Sequence, residues 1–444
     1  MLSESSPLRV LGFDSWTVGS HHFERLVSAL SGGGARLQLV HLGSWGNDAG
    51  RPNRERIGSL ETCDIASYSN SSFEHILDVE KPDAVIFLSI ETFAHRAFIR
   101  YCRQRGIPTL LLYHGLVNVQ VTNDRRGSYR VSPLAYAQFV WSRLGKLLRR
   151  TFPCYIRSLV KTGGTWADWR QFVSDIARMA TGKTALRGPA RDAKTTRCAV
   201  YTDSDTEHAV RIYGFAADEI SVVGNPDLAR FGLREDMLGS HLQRDTPRTR
   251  EIMYLDTGLP ALRLLFASHE AYIEHLLYTA SVLRDQGYSL LLKPHPAHDL
   301  EFLQSRLQPA GISLISNAEF LSRLCNCDVC IAETTTLAMV PALLGMPLLL
   351  ANYGPLAELR FGRVLTSYPR SHALRSLAGI SQLLAEDERS VNVAAVHDWI
   401  SRNTGPLPAE QMPTRVAQII ISMIGNSRSE VRTATATATA SVKA

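Results

Sequence analysis

Short apolar runs alternate with amphipathic helical stretches along most of this chain, and this order constrains the fold more than any other feature. In the first half, runs such as Leu8–Phe13, Ala84–Leu88 and Thr109–Tyr113 are almost entirely apolar. Strands that are apolar on both faces are typical of a parallel sheet with helices on both sides. Helical stretches such as Phe93–Arg105 would supply that cover. The sequence therefore predicts an open, Rossmann-like α/β sheet.

The same alternation returns in the second half of the chain. A loop of polar and charged residues at 234–250 separates the halves, and apolar runs such as Ile252–Leu255 and Val329–Ala332 follow it. A polar linker of this kind is where a domain boundary is expected. We therefore predict two Rossmann-like parallel-sheet domains, at residues 1–233 and 251–425.

One segment of the first domain, at about residues 132–193, breaks the alternation and is predicted to be a helical insertion. From Arg125 to Ala167 the chain has nine Lys or Arg and no Asp or Glu, although its formal net charge is only +6. The positive charge is therefore local, which favours an anionic membrane surface or a phosphorylated substrate over nucleic acid as the partner. The apolar and basic residues of Trp141–Arg150 are those that an interfacial helix needs.

The ends of the chain and its apolar runs indicate the compartment. Residues 426–444 contain Thr-Ala repeats with little apolar mass, so we predict a disordered tail. The apolar run Leu337–Ala351 contains two prolines and is shorter than the ~20 residues of a membrane-spanning helix. The first residues do not resemble a secretory signal. We therefore expect a cytoplasmic protein, which could bind peripherally to the inner face of the membrane.

Polar residues follow four of the predicted strands, at the place where open parallel sheets bind ligands. Singly, each group has an ordinary explanation: a lone histidine is often structural, Gly-Asn-Pro forms turns, and threonine caps helices. Their order along the chain is more informative than any one of them. The groups are His114-Gly115, Gly224-Asn225-Pro226, Lys293-Pro294-His295-Pro296 and Glu333-Thr334-Thr335-Thr336.

In this order the four groups resemble the motifs of the B-type glycosyltransferase fold (GT-B). The similarity is greatest to the bacterial surface-polymer enzymes that include polysialyltransferases and CDP-glycerol glycerophosphotransferases of teichoic acid synthesis, and it covers about residues 84–352. It implies a nucleotide-sugar donor, a glycan or lipid-linked glycan acceptor, and a role in capsule or other cell-envelope polysaccharide biosynthesis. In related enzymes a glutamate often holds the donor ribose, and here its place is taken by Pro341. This departure leaves the identity of the donor open.

The resemblance and the chemistry of the residues place donor binding in the second domain. Lys293 and His295 would bind the phosphates, and the hydroxyls of Thr334, Thr335 and Thr336 would stabilise the charge that builds on the leaving diphosphate. Glu333 could replace the missing glutamate. This arrangement needs no metal ion and no cofactor beyond the nucleotide sugar, so we predict metal-independent transfer. We also predict that transfer inverts the configuration at the sugar carbon.

Acceptor activation requires a general base, because a sugar hydroxyl is a poor nucleophile until its proton is removed. His114 is the preferred candidate, because histidine is the side chain whose unperturbed pKa, near ~6.5, suits proton transfer at neutral pH. The loop after the first strand, at residues 14–22, carries Asp14 and Gly19 and is the alternative source of a base. Asn225, in the turn that closes the first domain, is a further candidate for the cleft.

Two other functions remain open at this stage. A sugar-nucleotide 2-epimerase of the same fold would need acidic residues in the cleft, and Asp14, Glu91 and Glu333 are the best placed. A non-catalytic binding subunit of the same fold is the other alternative, because Pro341 replaces a polar residue of the related enzymes.

Overall fold

The structure is a computed structural model of the chain. Ten segments, with two single positions, are described: residues 7–14, 19–45, 52–68, 72–115, 145, 147–180, 192, 194–243, 249–258, 265–266, 268–296 and 298–442.

The first domain is built on an eight-stranded sheet. In spatial order its strands are β3-β4-β2-β1-β5-β6-β7-β8. Their bounds are β1 Leu8–Asp14, β2 Ala35–His41, β3 Arg54–Ile57, β4 Leu60–Asp64, β5 Ala84–Phe87, β6 Thr109–Leu112, β7 Arg197–Val200 and β8 Ile220–Val222. Every pair is parallel except β3 with β4. The predicted parallel α/β domain is therefore confirmed, with one antiparallel strand added at its edge.

Helices cover this sheet, as the amphipathic stretches predicted. They are α1 Ser20–Gly32, α2 Phe73–Glu80, α3 Phe93–Gln104, α4 Phe152–Lys161, α5 Trp166–Ala180, α6 Asp203–His208 and α7 Pro226–Arg230. Aromatic side chains fill the space between β1 and the helices: the ring of Phe13 lies 4.5 Å from that of Phe98 and 5.5 Å from that of Phe73.

The second domain contains a fully parallel sheet of six strands in the order β11-β10-β9-β12-β13-β14. The strands are β9 Glu251–Leu255, β10 Ser289–Lys293, β11 Ser313–Leu314, β12 Val329–Ala332, β13 Leu348–Ala351 and β14 Ser371–Leu374. The helices are α8 His269–Asp285, α9 Leu300–Leu307, α10 Phe320–Leu324, α11 Met339–Leu343, α12 Arg363–Thr366, α13 Ile380–Ser390, α14 Val393–Thr404 and α15 Met412–Val442. A second α/β domain is thus confirmed as well.

The described part of the predicted insertion is helical and is fastened to α3 by a buried charge network. Arg96, which is fully buried, donates to Asp175 at 2.6 Å and lies 3.1 Å from an oxygen of Asp192. Its guanidinium also donates to the Tyr155 hydroxyl of α4. Residues 116–144 and 146 lie outside the described residues, and with them half of the predicted basic helix Trp141–Arg150.

The last helix differs from the sequence-based expectation. A helix end was expected at Gly425, with a disordered tail beyond it, but α15 continues to Val442. No proline follows Gly425, and alanine has the highest helix propensity of all residues. The helix also packs on α1 of the first domain, and its Arg428 pairs at 2.7 Å with Asp83, the residue before β5. In the described part of the chain, no helix combines the length and the apolar character that crossing a bilayer requires.

Candidate active site

Each sheet has a point at which its strand order reverses, and such points form ligand crevices at the carboxyl ends of the strands. In the first sheet, β1 lies between β2 and β5, and in the second sheet, β9 lies between β10 and β12. The predicted site residues follow strands at these two edges. His114 follows β6, Lys293 ends β10, and Glu333 follows β12.

The two carboxyl edges lie opposite each other. A Cβ atom added to Gly115 would lie 3.9 Å from the methyl carbon of Thr336. The loop that carries the candidate base therefore lies close to the threonine run of the second domain. We refer to the space between these two edges as the crevice.

His114 has one ring nitrogen engaged and the other available in its neutral form. Its Nδ1 lies 2.8 Å from the backbone carbonyl oxygen of Leu88, which can only accept, so Nδ1 carries the proton. Nε2 of the neutral ring is then an acceptor, as a general base requires. The side chain is exposed at the crevice. The geometry is compatible with the role predicted from the sequence.

A second histidine beside His114 is held neutral. The ring of His22, at the start of α1, lies 5.8 Å from that of His114. Burial lowers the pKa of His22 to about 2, and the positive charge of neighbouring groups, including His21 and Arg25, lowers it further. His22 therefore adds no charge beside the candidate base.

The other first-domain candidates have partners within the domain. Asp14 is buried, with one oxygen 3.7 Å from Nε2 of His95. A Cβ at Gly19 would lie 2.8 Å from the other oxygen, so glycine permits the loop to pass close to this carboxylate. The side-chain oxygen of Asn225 accepts from the backbone amide of Asp227 at 3.0 Å and caps α7. Asn225 thus stabilises the turn that closes the first domain.

In the second domain, the loops after β9 and β10 meet at one buried carboxylate that was not predicted. Asp256 accepts from the backbone amide of His295 at 2.9 Å and from that of Gly258 at 2.8 Å. It also lies 2.7 Å from Nε2 of His298. Burial by itself raises the pKa of Asp256, but His298 and the two amides outweigh burial and hold that pKa below its ordinary value.

His295 and Lys293 lie where the sequence predicted, at the carboxyl edge. The ring of His295 is half-buried against the backbone of Gly258, whose φ is +73° and where an added Cβ would lie 2.8 Å from Nδ1. Burial lowers the pKa of His295. Lys293 is buried, and burial followed by the positive charge of Arg230 in α7 lowers its pKa. Positive groups of both domains therefore lie close together here.

The three threonines that follow Glu333 differ in their contacts. Thr334 is buried. The hydroxyl of Thr335 accepts from the backbone amide of Leu337 at 3.3 Å and caps the 3₁₀ turn Thr336–Ala338. Thr336 is exposed and lies beside the first domain. Among the described hydroxyls of this run, that of Thr336 is the best placed to meet a ligand.

Glu333 does not face the crevice. Its side chain is fully buried, and its oxygens accept from the hydroxyl of Tyr254 at 2.8 Å and from the backbone amide and hydroxyl of Thr257 at 3.0 and 2.6 Å. Burial first, and the charge of Asp256 second, raise the pKa of Glu333 to about 8. Pro341, in α11, is buried as well. The contacts of Glu333 are thus those of a group that stabilises the donor loops from behind.

An Asp-x-Asp pair directly after β7 could suggest a metal site, but its two carboxylates diverge. Asp205 is buried and accepts from the backbone amide and hydroxyl of Thr202, whereas Asp203 is exposed. Within the described ranges, no group of three or more His, Cys, Asp or Glu is arranged to hold a metal ion.

Three residues of the site were missed in the sequence. Asp256 directly follows a predicted strand, so the strand-end rule that selected His114 would have found it. His298 lies three residues after His295 but belongs to no recognised motif. Arg230 is the last residue of a short helix, and its closeness to Lys293 depends on how the two domains pack.

Comparison with known proteins gives likeness in structure only. No protein-family model matches the chain, and no curated protein matches it in sequence. A variant of the wall teichoic acid polymerase TagF is 12% identical, covers 96% of this chain and 90% of its own, and has a TM-score of 0.48. The glycotransferase of kitacinnamycin is 13% identical, with 95% of this chain and 100% of its own covered, and a TM-score of 0.45.

A sugar-nucleotide epimerase is similar to about the same degree. UDP-GlcNAc 2-epimerase from Neisseria meningitidis is 11% identical, with 94% of this chain and 100% of its own covered, and a TM-score of 0.44. Likeness at this level concerns the fold and does not distinguish a transferase from an epimerase. The activity has to be argued from the residues at the crevice.

Proposed function

We propose that this chain is a glycosyltransferase that moves a sugar from a nucleotide-activated donor to a glycan or lipid-linked glycan. The observation that carries the proposal is the position of His114, whose Nδ1 is fixed on the Leu88 carbonyl while its loop lies close to Thr336 of the second domain. A base in one domain and hydrogen-bond donors in the other then face the same crevice. This is the arrangement that transfer between two bound substrates needs.

In this proposal, His114 removes the proton from the acceptor hydroxyl through Nε2 as the new bond forms. The donor residues, Lys293 and His295, lie across the crevice. The acceptor oxygen therefore approaches the sugar from the side opposite to the leaving diphosphate. Attack from the opposite side inverts the configuration at the sugar carbon, which is the predicted stereochemistry.

The leaving diphosphate gains negative charge, and the second domain offers groups to stabilise it. Lys293, His295 and the hydroxyl of Thr336 lie at the carboxyl edge. Repulsion from Arg230 contributes to the lowered pKa of Lys293, so an anion bound between these two groups would relieve that repulsion. In this scheme, positively charged side chains of the protein stabilise the negative charge of the leaving diphosphate. We therefore propose transfer without a metal ion.

The acidic residues that a 2-epimerase would use are engaged elsewhere. The oxygens of Glu333 accept from Tyr254 of β9 and from Thr257. Glu91 accepts from the hydroxyl of Tyr213 at 3.0 Å, and Asp14 lies 3.7 Å from His95. The glycosyltransferase is therefore the better supported of the alternatives.

We further propose that the protein works at an anionic membrane surface, where a lipid-linked acceptor is found. Apolar side chains of the insertion are strongly exposed: Val160 to 67%, Trp166 to 80% and Val173 to 65%. Trp166 and Val173 are seven residues apart and share one face of α5. Val160 and Trp166 belong to the stretch Arg125–Ala167, which carries nine basic and no acidic residues, and Val173 follows it. Exposed apolar groups flanked by positive charge suit an anionic lipid surface.

The test begins with binding and ends with transfer. A panel of nucleotide sugars is added and thermal stability is measured. A donor at a hundred times its Kd stabilises the protein by about 2.7 kcal/mol. The variant His114→Asn should keep this stabilisation and lose transfer, whereas the control His397→Asn, an exposed position of α14, should keep both. If no nucleotide sugar stabilises the protein, the proposal is wrong. If His114→Asn turns over normally, the base lies elsewhere.

A further inference from the structure

A buried carboxylate and a buried imidazole hold together the two loops of the donor side. The side chains of Asp256 and His298 are both fully buried, and their closest atoms are 2.7 Å apart. The backbone of the His298 loop is also held in a turn, because the amide of His298 donates to the carbonyl oxygen of His295 at 3.1 Å. Neither side chain is exposed to touch a bound substrate.

The imidazole of His298 is fixed from a second side. Its ring stacks on that of Tyr272 in α8, with the ring centres 5.6 Å apart and the planes 1° from parallel. The 2.7 Å contact between Nε2 and Asp256, and the stacking on the ring face, leave His298 little freedom. The position of Asp256 is therefore set by a residue that is itself held by a long helix.

Asp256 in turn fixes the position of His295. Of its oxygens, one accepts from the amide of His295 and the other from the amide of Gly258. These contacts close the β9 loop onto the β10 loop, so that the His295 ring lies against Gly258 without space for a side chain between them. One carboxylate thus sets both the backbone of His295 and the surface on which its ring rests.

Stability alone does not explain a buried carboxylate and a buried imidazole at this place. Burying these two polar groups costs desolvation energy, and apolar residues of similar size often give equal or greater stability. What a pair of polar groups supplies better is a single geometry, because polar contacts depend on direction. The pair lies where the strand order of the second sheet reverses, next to the residue that we assign to the donor phosphates.

We propose that Asp256 and His298 are positioning residues, which orient His295 towards the phosphates of the nucleotide donor. This inference rests on the proposed function, since it concerns the same donor site. His298 acts through Asp256 and does not contact the donor. Misplacing a binding group by about 1 Å can cost roughly a hundredfold in rate.

Two substitutions at one position separate the polar contact with Asp256 from the ring itself. His298→Leu removes the polar contact with Asp256, whereas His298→Gln keeps an N–H group that can donate to the carboxylate. We expect His298→Leu to lower kcat/KM roughly ten- to a hundredfold and to raise the Kd for the nucleotide donor. His298→Gln should restore most of both quantities. Equal losses in the two variants would show that the polar contact with Asp256 is not what matters.

The chain offers a matched control in His275. This histidine is also buried, also lies in the second domain, and also stacks on a tyrosine, with 5.3 Å between its ring centre and that of Tyr353. It has no contact with the His295 loop among the hydrogen bonds and ring contacts of the described residues. His275→Leu should therefore change stability but not the kinetics per folded molecule. Similar kinetics for His275→Leu and His298→Leu would overturn the proposal.

One further measurement does not need a donor and so distinguishes the two proposals. The ring signals of His295 are identified by NMR of the protein labelled at histidine, from their loss in His295→Ala. In His298→Leu these signals should shift and broaden, and in His275→Leu they should not. Unchanged His295 signals would overturn the positioning role. Shifted signals in a protein that binds no nucleotide would leave the positioning of the ring standing and would refute the glycosyltransferase.

Discussion

Replacing Glu333 by glutamine should make the stability of the protein less dependent on pH. Burial and the charge of Asp256 raise the pKa of Glu333 from 4.5 to about 8, so the folded protein keeps a neutral acid at this position at pH 7. Glutamine mimics that neutral acid. Its oxygen can accept from the two donors of Thr257, while its amide group donates to the hydroxyl oxygen of Tyr254. The variant should therefore fold with the same contacts.

The direction in which the free energy of unfolding changes with pH follows from proton binding. Between pH 5 and pH 8 the unfolded chain has released the Glu333 proton, while the folded protein retains it. The folded state binds more protons, so the free energy of unfolding falls as the pH rises, by up to about 1.4 kcal/mol per pH unit. The contribution of Glu333 is fully present below pH 4.5 and is lost as the pH passes about 8. Over the three units from pH 5 to 8, the wild type loses at most about 4 kcal/mol that Glu333→Gln does not lose.

Urea unfolding at pH 5, 6, 7 and 8, followed by circular dichroism, measures this difference. The gap between Glu333→Gln and the wild type should widen steadily in favour of the variant as the pH rises. Glu301→Gln is the control, because Glu301 is exposed in the first turn of α9, and its curve should run parallel to that of the wild type. Parallel curves for Glu333→Gln and the wild type would refute the protonated, buried carboxyl group.

Three further predictions test the site, the insertion and the membrane surface. Thr335→Val removes a helix cap and should lower the free energy of unfolding by about 1 kcal/mol. Thr336→Val should leave the melting temperature unchanged and slow transfer roughly ten- to a hundredfold, and the reverse pattern would contradict the assignment. Arg96→Met leaves two buried aspartates unpaired and should lower the free energy of unfolding by about 3–5 kcal/mol in urea titrations, and a loss below about 1 kcal/mol would count against the network. Anionic vesicles should sediment the protein at low salt and less at high salt, with weaker binding for Trp166→Ser and Val160→Ser; equal binding to neutral vesicles would exclude the electrostatic contact.

The central strands could be predicted because both of their faces are buried. Ala84–Phe87 and Val329–Ala332 are buried at every position, and the apolar runs in the sequence place them to within a residue. Strands at sheet edges lack this signal. Arg54–Ile57 carries three charged residues, and Ser371–Leu374 begins with two polar residues, so neither was predicted to be a strand.

The candidate site could be predicted only as far as the strand-end rule reaches. That rule placed His114, Lys293 and His295 at carboxyl edges, where the structure has them. It could not give the direction of a side chain. Glu333 is turned into the domain by Tyr254 and Thr257, which lie 79 and 76 positions earlier in the chain, and no local pattern reveals contacts over such distances.

Because α15 packs on the first domain, the two halves of this protein cannot simply be expressed as separate fragments. Ile421 of α15 lies so close to Gly33 that a Cβ atom at Gly33 would clash with it, and Val416 and Ile420 are buried. A gene fragment for residues 1–233 would therefore encode a domain without one of its own helices, and the uncovered face of α1 would favour aggregation. A self-sufficient first half would have to carry the α15 sequence fused to its end. Exchange of halves between such proteins is then constrained, because the last helix has to match a domain encoded at the opposite end of the gene.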